Sequence, residues 1–313
     1  MSEITKPILS IVVPTREGFS EHWLGELLKI KGEVEFILVH PPGASQYPVA
    51  DPRMRQIISP LRGEVIQRIT GLINASGTYI LTINCDEYLT PDIAEITCQY
   101  FQRFPDMWVM RLYNKSCEFG DRQSLENPWE ILVNIDEMKI CGRSQGNQKL
   151  YGGKDYMREI PLAPLDNKFD MLTIFRGRRD HHGPHLENFD KKVWKTKMVQ
   201  ETLPEILKLI PIVGPFKYVP FWCLDRLLGL FIQAKFFEQG KGKIIGYLLP
   251  PPEQLRVEDN PPEYKRTNRY YILAEIFLIR SFPQYGYLWN LMMNHLREIP
   301  FAYLRNWKEA IKG

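Results

Sequence analysis

Residues 80–92, ILTINCDEYLTPD, end an apolar run in Asn84-Cys85-Asp86-Glu87. In an extended segment, residues two apart point the same way, so Asn84 and Asp86 would offer two oxygen donors to one side. Hard divalent cations take oxygen ligands, few of them from protein and the rest from phosphates and water. A cation held there would neutralise the charge that grows on a departing diphosphate, acting as a Lewis acid. A second concentration of such chemistry is RGRRDHHGPHLENFD at 176–190. Its Arg176, Arg178 and Arg179 have forks that match phosphate oxygens, and His181, His182 and His185 are half of the chain's 6 histidines.

The elements around the first cluster can be read from hydrophobic period. ILSIVV (8–13) and VEFILV (34–39) are short, nearly continuous apolar runs, the pattern of strands covered on both faces. RQIIS (55–59), TYILTI (78–83) and MWVMRLYN (107–114) add three more strands. Trp23, Leu24, Leu27 and Leu28 trace one helical face between the first two. Val65, Ile66, Ile69, Leu72 and Ile73 trace another over 63–75, with Gly77 to end it. Pro91 begins a third helix, with Thr90 as N-cap. Strand alternating with helix predicts a mostly parallel, Rossmann-like α/β sheet flanked by helices. Ligands of such sheets gather beyond the carboxyl ends of the strands, which places residues 14–17, 40–43 and 84–87 along one edge.

The order of these pieces carries a resemblance. ILSIVVPTRE, VEFILVHPPG and GLINASGTYILTINCDEYLTPD resemble, in order and spacing, the family-two glycosyltransferases of the GT-A fold, over about the first third of the chain. The shared features are Pro14-Thr15, Ala75-Ser76-Gly77-Thr78-Tyr79-Ile80, Asp86-Glu87 and Pro91-Asp92. The resemblance implies a nucleotide-diphospho-sugar donor over Pro14, Thr15, Arg16 and Glu17, near His40, Arg68, Asn84, Cys85 and Asp86. It implies Mg²⁺ or Mn²⁺ on Asp86, with His182 or His185 completing the metal shell. It also implies a carboxylate base for an inverting transfer. Asp155, in LYGGKDYMRE, is the best local match for that base, and Asp180 is the reserve. Two positions depart from the family. Asn84 stands where its first metal-motif Asp would be, and His40-Pro41 stands where two aspartates would hold the nucleotide. These departures keep open a non-uridine donor, metal-poor catalysis, or a non-catalytic sugar-nucleotide-binding relative. A nucleotidyltransferase is the other alternative, although Pro14-Thr15-Arg16-Glu17 replaces the Gly-rich loop such enzymes carry.

The remainder divides by composition. Residues 115–190 are rich in glycine and charge, with a helix expected near 126–138, and are read as the acceptor-facing half of a catalytic domain spanning 1–190, whose donor half is 1–114. Residues 191–313 form a helical region, with helices expected at 263–281, 285–297 and 301–311 and a linker or lid at 250–262. Segment 203–237 has two readings, a packed helical subdomain or a peripheral membrane face. Its aromatics mix with lysines as in interfacial helices. Between 190 and 243, ten basic side chains oppose five acidic ones, a local +5 suited to anionic headgroups and to a lipid-linked acceptor. A glycan or glycolipid hydroxyl is the expected acceptor.

Across all 313 residues the net charge is only +3, which argues against a nucleic-acid partner. The 5 cysteines are scattered with no CxxC pair, so neither a disulfide frame nor a zinc ribbon is expected, and a reducing cytoplasm fits. The first ten residues do not read as a signal peptide.

Overall fold

The computed structural model describes residues 6–16, 21–142, 153–179, 185–209, 221–261 and 272–312. The chain divides into two compact units: Met1–Pro161, Asp190–Tyr218 and Lys243–Tyr264 in the first, and Leu162–Phe189, Val219–Gly242 and Lys265–Gly313 in the second. Residues 191–313, expected as one helical region, are divided between the two units, and so are residues 1–190.

In chain order, the first unit contains β1 (Leu9–Pro14), α1 (Glu21–Leu28), β2 (Val34–His40), β3 (Met54–Ile58), α2 (Glu64–Asn74), β4 (Tyr79–Thr82), β5 (Glu87–Leu89), α3 (Ile93–Arg103), β6 (Val109–Arg111), β7 (Asn114–Cys117), α4 (Arg122–Glu126), β8 (Lys139–Cys141) and β9 (Tyr156–Pro161). After α5 (Thr173–Arg176), which lies in the second unit, come β10 (Lys192–Lys195) and α6 (Thr196–Leu207). The second unit also holds α7 (Phe221–Lys235) and α8 (Phe237–Gly240). The first is completed by β11 (Ile244–Leu248) and β12 (Leu255–Glu258), and the second by α9 (Ile272–Ser281) and α10 (Gly286–Lys312).

Among the described residues, nine strands make one sheet in the order β3-β2-β1-β4-β10-β6-β11-β9-β8. β1 to β4 are mutually parallel. β10 is antiparallel to both β4 and β6, so β6, and β11 beside it, run with β4. Every residue of β1 and β2 is buried, as their unbroken apolar runs require. α2 lies against β1 and β2 at Gly71, where a Cβ would stand 2.2 Å from Val12 Cγ1. A side chain there would force the helix off the sheet. At the opposite end of these strands Glu35 is buried, accepting from Ser10 Oγ at 2.5 Å and from the amides of Ser76 at 2.5 Å and Gly77 at 3.0 Å. Burial pushes its carboxyl up, but these bonds outweigh it and hold the group below its ordinary range. It ties β1 and β2 to the entry of β4.

A second sheet, β5-β12-β7, is built from chain that has just left β4, β11 and β6. It therefore walls the carboxyl edge of the large sheet. Residues 250–261 thus do not form a linker or lid: Gln254, Leu255 and Arg256 are buried. Gln254 accepts from the Tyr113 amide at 2.8 Å, and Arg256 donates to the carbonyls of Leu125 and Asn127 at 3.0 and 2.6 Å. The helix expected over 126–138 is reduced to α4 and a 3₁₀ turn at Ile135–Glu137. α10 runs through Pro300 as one helix, where two were expected.

In the second unit, Phe231, Phe236 and Phe237 are buried. These aromatics of segment 203–237 are spent on packing, while the side chains of Phe216, Phe221 and Trp222 lie outside the description. No described helix is long and apolar enough to cross a membrane.

Candidate functional site

The tips of β1 and β2 are locked together by polar side chains. Thr15 and His40 are both buried. The Gln67 amide, from α2, donates to the carbonyls of Thr15 at 2.8 Å and Val39 at 2.7 Å. Gln56 has its orientation fixed by Tyr47, whose N–H reaches Oε1 at 2.7 Å and whose carbonyl accepts from Nε2 at 2.8 Å. Its Oε1 can only accept, so His40 Nε2, 2.9 Å away, must carry the hydrogen. His40 Nδ1 is then bare and accepts from the Thr15 hydroxyl at 2.8 Å. Burial lowers the His40 pKa while the Gln56 bond opposes it, so the ring is neutral. Both ring nitrogens serve the protein. His40 thereby shapes the β2 tip where the family resemblance would place carboxylates.

At the tip of β4 the chain does not stay extended. β4 ends at Thr82, and residues 84–87 form a turn closed by the Glu87 amide on the Asn84 carbonyl at 3.1 Å. Asn84 and Asp86 therefore do not act as the i, i+2 pair of a strand. The Asn84 side-chain oxygen accepts a short hydrogen bond from Arg68 Nη2. Arg68 is 3% exposed and also reaches Glu64 Oε1 at 3.1 Å and Asp190 Oδ1 at 3.4 Å. Asp190 in turn accepts from Thr82 Oγ1 at 3.3 Å. Burial works against the Arg68 charge, but Asp190 and Glu64 more than restore it. Glu87, 6% exposed, accepts from the Asn84 amide at 2.8 Å.

Asp86 differs from these neighbours. Its Oδ1 is buried and has no hydrogen-bond partner. Burial raises its pKa, and the nearby Arg16 charge pulls it back. A buried carboxylate oxygen with nothing to accept from is costly unless a cation or donor reaches it. No group of three or more His, Cys, Asp or Glu side chains among the described residues could hold a metal alone. A hard divalent cation does not need one, since a single carboxylate, water and substrate phosphates suffice. The oxygen donor of Asp86 fits such an ion.

The other expected residues fall as follows. Pro14 closes β1, Arg16 is exposed beside Cys85 and Asp86, and burial raises the Cys85 thiol. Asp155 stands just before β9, at the same edge as the β4 tip, because β9 runs against β11. It is exposed, and its carbonyl accepts from the Lys139 amide at 2.8 Å. β9 is four places from β4 in the sheet order, or roughly 19 Å at the usual strand spacing, so Asp155 is not gathered into the Arg68 cluster. His185 belongs to the second unit, with Nε2 3.0 Å from Tyr287 Oη. There Arg178 pairs with Glu187 at 3.2 Å and Arg176 with Asp170 at 3.1 Å. Glu17, Asp180 and His182 lie outside the described residues.

Sequence reading missed Gln67, Glu64 and, above all, Asp190. Asp190 arrives from far along the chain because β10 starts at the edge where β4 ends. The sequence signal is a carboxylate two residues before the mostly buried KVWK strand. Lys191 follows with φ 59°, a left-handed conformation in a non-glycine residue. Such backbone costs about 1–2 kcal/mol, and here it turns the chain between the Asp190 carboxylate and β10.

Burial pushes the Glu87 carboxyl up to about 8, and the charges of Asp190 and Asp86 push the same way. Its folded pKa lies above the ordinary value of 4.5, so its contribution to stability is complete below that value and is lost as pH rises to about 8. Glu87→Gln keeps an acceptor for the Asn84 amide without that loss. We expect the variant to be about 2–4 kcal/mol more stable than the parent around pH 9 and nearly equal around pH 4. Urea unfolding with a chelator present reads both.

The structure is similar to that of S. aureus TarS. Against residues 1–349 of TarS in complex with UDP-GlcNAc, the TM-score is 0.52 at 12% identity, covering 94% of this chain and 73% of that one. The same TarS fragment without a stated ligand gives 0.50 at 13% identity, covering 94% and 72%. Its complex with UDP gives 0.50 at 11%, covering 93% and 71%. No protein-family model and no curated protein sequence matches the chain. At these identities the likeness is one of fold, and the chain has the GT-A glycosyltransferase fold.

Proposed function

We propose that this chain is a family-two-type glycosyltransferase that moves a sugar from a nucleotide diphosphate to a hydroxyl of a glycan or glycolipid, with inversion, in the assembly of cell-surface polysaccharide or glycolipid. The observation that carries the reading is the bare, buried Asp86 oxygen at the β4 tip of a GT-A sheet, the edge where such sheets bind ligands. Solved TarS structures of the same fold carry UDP-GlcNAc or UDP, which makes uridine nucleotides the first donors to try. Asp86 would hold Mg²⁺ or Mn²⁺, which when bound supplies Lewis-acid neutralisation of the leaving diphosphate. Arg16, exposed beside Asp86, would add a positive charge for the phosphates. The Thr15–His40–Gln67 lock would hold the β1 and β2 tips at a fixed separation beneath the nucleotide. Asp155 and Asp180 are the candidates for the general base.

A non-catalytic sugar-nucleotide binder is the second reading. It is favoured by Asn84, whose oxygen is taken by Arg68 and which brings no charge to a cation. Calorimetric titration with UDP and UDP-GlcNAc, with Mn²⁺ or chelator, paired with an assay of UDP release, separates the two. Metal-dependent binding with release supports the enzyme, binding without release across acceptors supports the binder, and no binding by any nucleotide sugar of a panel removes both.

A further inference from the structure

The second unit displays a cluster of apolar side chains at its surface. Phe169 is 42% exposed, Met171 72%, Leu172 50%, Ile174 37% and Phe175 79%. All five sit within seven positions around the single turn of α5. The segment beneath them is fastened to α10. Asn290, itself buried, accepts from the Asp170 amide at 2.8 Å and donates to the Lys168 carbonyl at 3.2 Å. Asn294 accepts from the Arg178 amide at 3.3 Å. Gly286 lets the strands of chain meet, since a Cβ there would lie 2.2 Å from the Asn167 carbonyl oxygen. The turn closes on itself as the Leu172 amide reaches Asp170 Oδ1 at 3.0 Å. The apolar side chains are thus held outward on a fixed support.

The charges around them are basic. Lys168, Arg176 and Arg179 are exposed, as is Lys241, against Asp170, which pairs with Arg176 at 3.1 Å, and Asp166, which pairs with Lys241 at 3.2 Å, leaving four basic groups to two acidic ones. Side chains of these types at these exposures present roughly 500 Å² of surface, the size at which apolar patches mark interaction sites. That falls short of the roughly 800 Å² per partner that a stable protein interface needs. A rim of basic groups around protruding Phe, Met, Leu and Ile side chains instead matches a bilayer surface, where apolar groups enter the acyl boundary and cations meet anionic headgroups.

We infer that the α5 turn, Phe169 to Arg179, docks this protein on an anionic lipid surface. This surface is distinct from segment 203–237, whose described aromatics are buried, and the inference does not depend on the donor reading. The test is flotation of the full chain with phosphatidylglycerol–phosphatidylcholine vesicles and with phosphatidylcholine alone. The parent should float with the anionic vesicles. Met171→Ser combined with Phe175→Ser should weaken that binding at least about tenfold, with an unchanged melting temperature, because both side chains are solvent-exposed. Failure of the parent to float overturns the inference. Retention of binding by the double variant overturns the assignment to this turn. A dimer in sedimentation velocity that the double variant dissolves, without flotation, would assign the surface to a second copy of the chain instead.

Discussion

Asp86→Ala is expected to lower metal-dependent release of nucleotide from a sugar donor by at least about 100-fold, while leaving the melting temperature equal to or above that of the parent. The two halves of this result come from one atom. Asp86 Oδ1 is buried and accepts no hydrogen bond, and burial raises its carboxyl pKa despite the Arg16 charge. A raised carboxyl pKa means the folded state disfavours the charged form, so at neutral pH the side chain detracts from stability in the free protein. Truncating it removes that penalty. A carboxylate that served the fold would behave oppositely, costing about 1–3 kcal/mol when its partners lost it. Asp86→Asn refines the test. It keeps the shape and one oxygen but not the charge, so equal loss in both variants identifies charge as what the site uses. Full metal-dependent turnover in Asp86→Ala would remove Asp86 from the chemistry.

Legibility in the sequence followed how local the information was. β1 and β2 were readable because strands buried on both faces need an unbroken apolar run. α2 was readable because Val65, Ile66, Ile69 and Leu72 share one buried face. From these two facts the carboxyl edge, and with it residues 14–16, 40 and 84–86, could be placed without coordinates. β10 could not. It has four residues, inserts between β4 and β6, and pairs with strands roughly 80 to 115 positions earlier. Its register is a tertiary fact with no local period, so Asp190 stayed hidden although it sits at the centre of the cluster. β12 was hidden by the prolines before it, which favour turns but here deliver Gln254 and Leu255 into the core. The paired geometry of Asn84 and Asp86 failed for a different reason: alternation holds only while the chain stays extended, and the strand ends at Thr82.

Arg68→Met is the second large effect, and it falls on the fold as much as on the site. Arg68 is buried with Glu64, Asp190 and Asn84 on its fork, and Glu87 adds to the field that keeps it charged. Removing one partner of a buried ionic set costs about 3–5 kcal/mol, because the charges left behind lose their compensation. We therefore expect the free energy of unfolding, extrapolated from urea, to fall by that amount near neutral pH. The deficit should grow with pH. Without the cation, the carboxyls of Glu64 and Glu87, already raised by burial, rise further, and groups whose folded pKa is raised lose stability as pH climbs through the window between the unfolded and folded values. Under acid, where those carboxyls are protonated in both states, the deficit shrinks. Arg68→Lys should recover only part of the loss, since a single ammonium cannot span three acceptors that a planar guanidinium reaches at once. Adding Glu64→Gln and Asp190→Asn to Arg68→Met should recover more than Lys does, because what unfolds the single variant is the stranded negative charge. A pH-independent deficit, or no recovery in the triple variant, would show that Arg68 acts through packing alone.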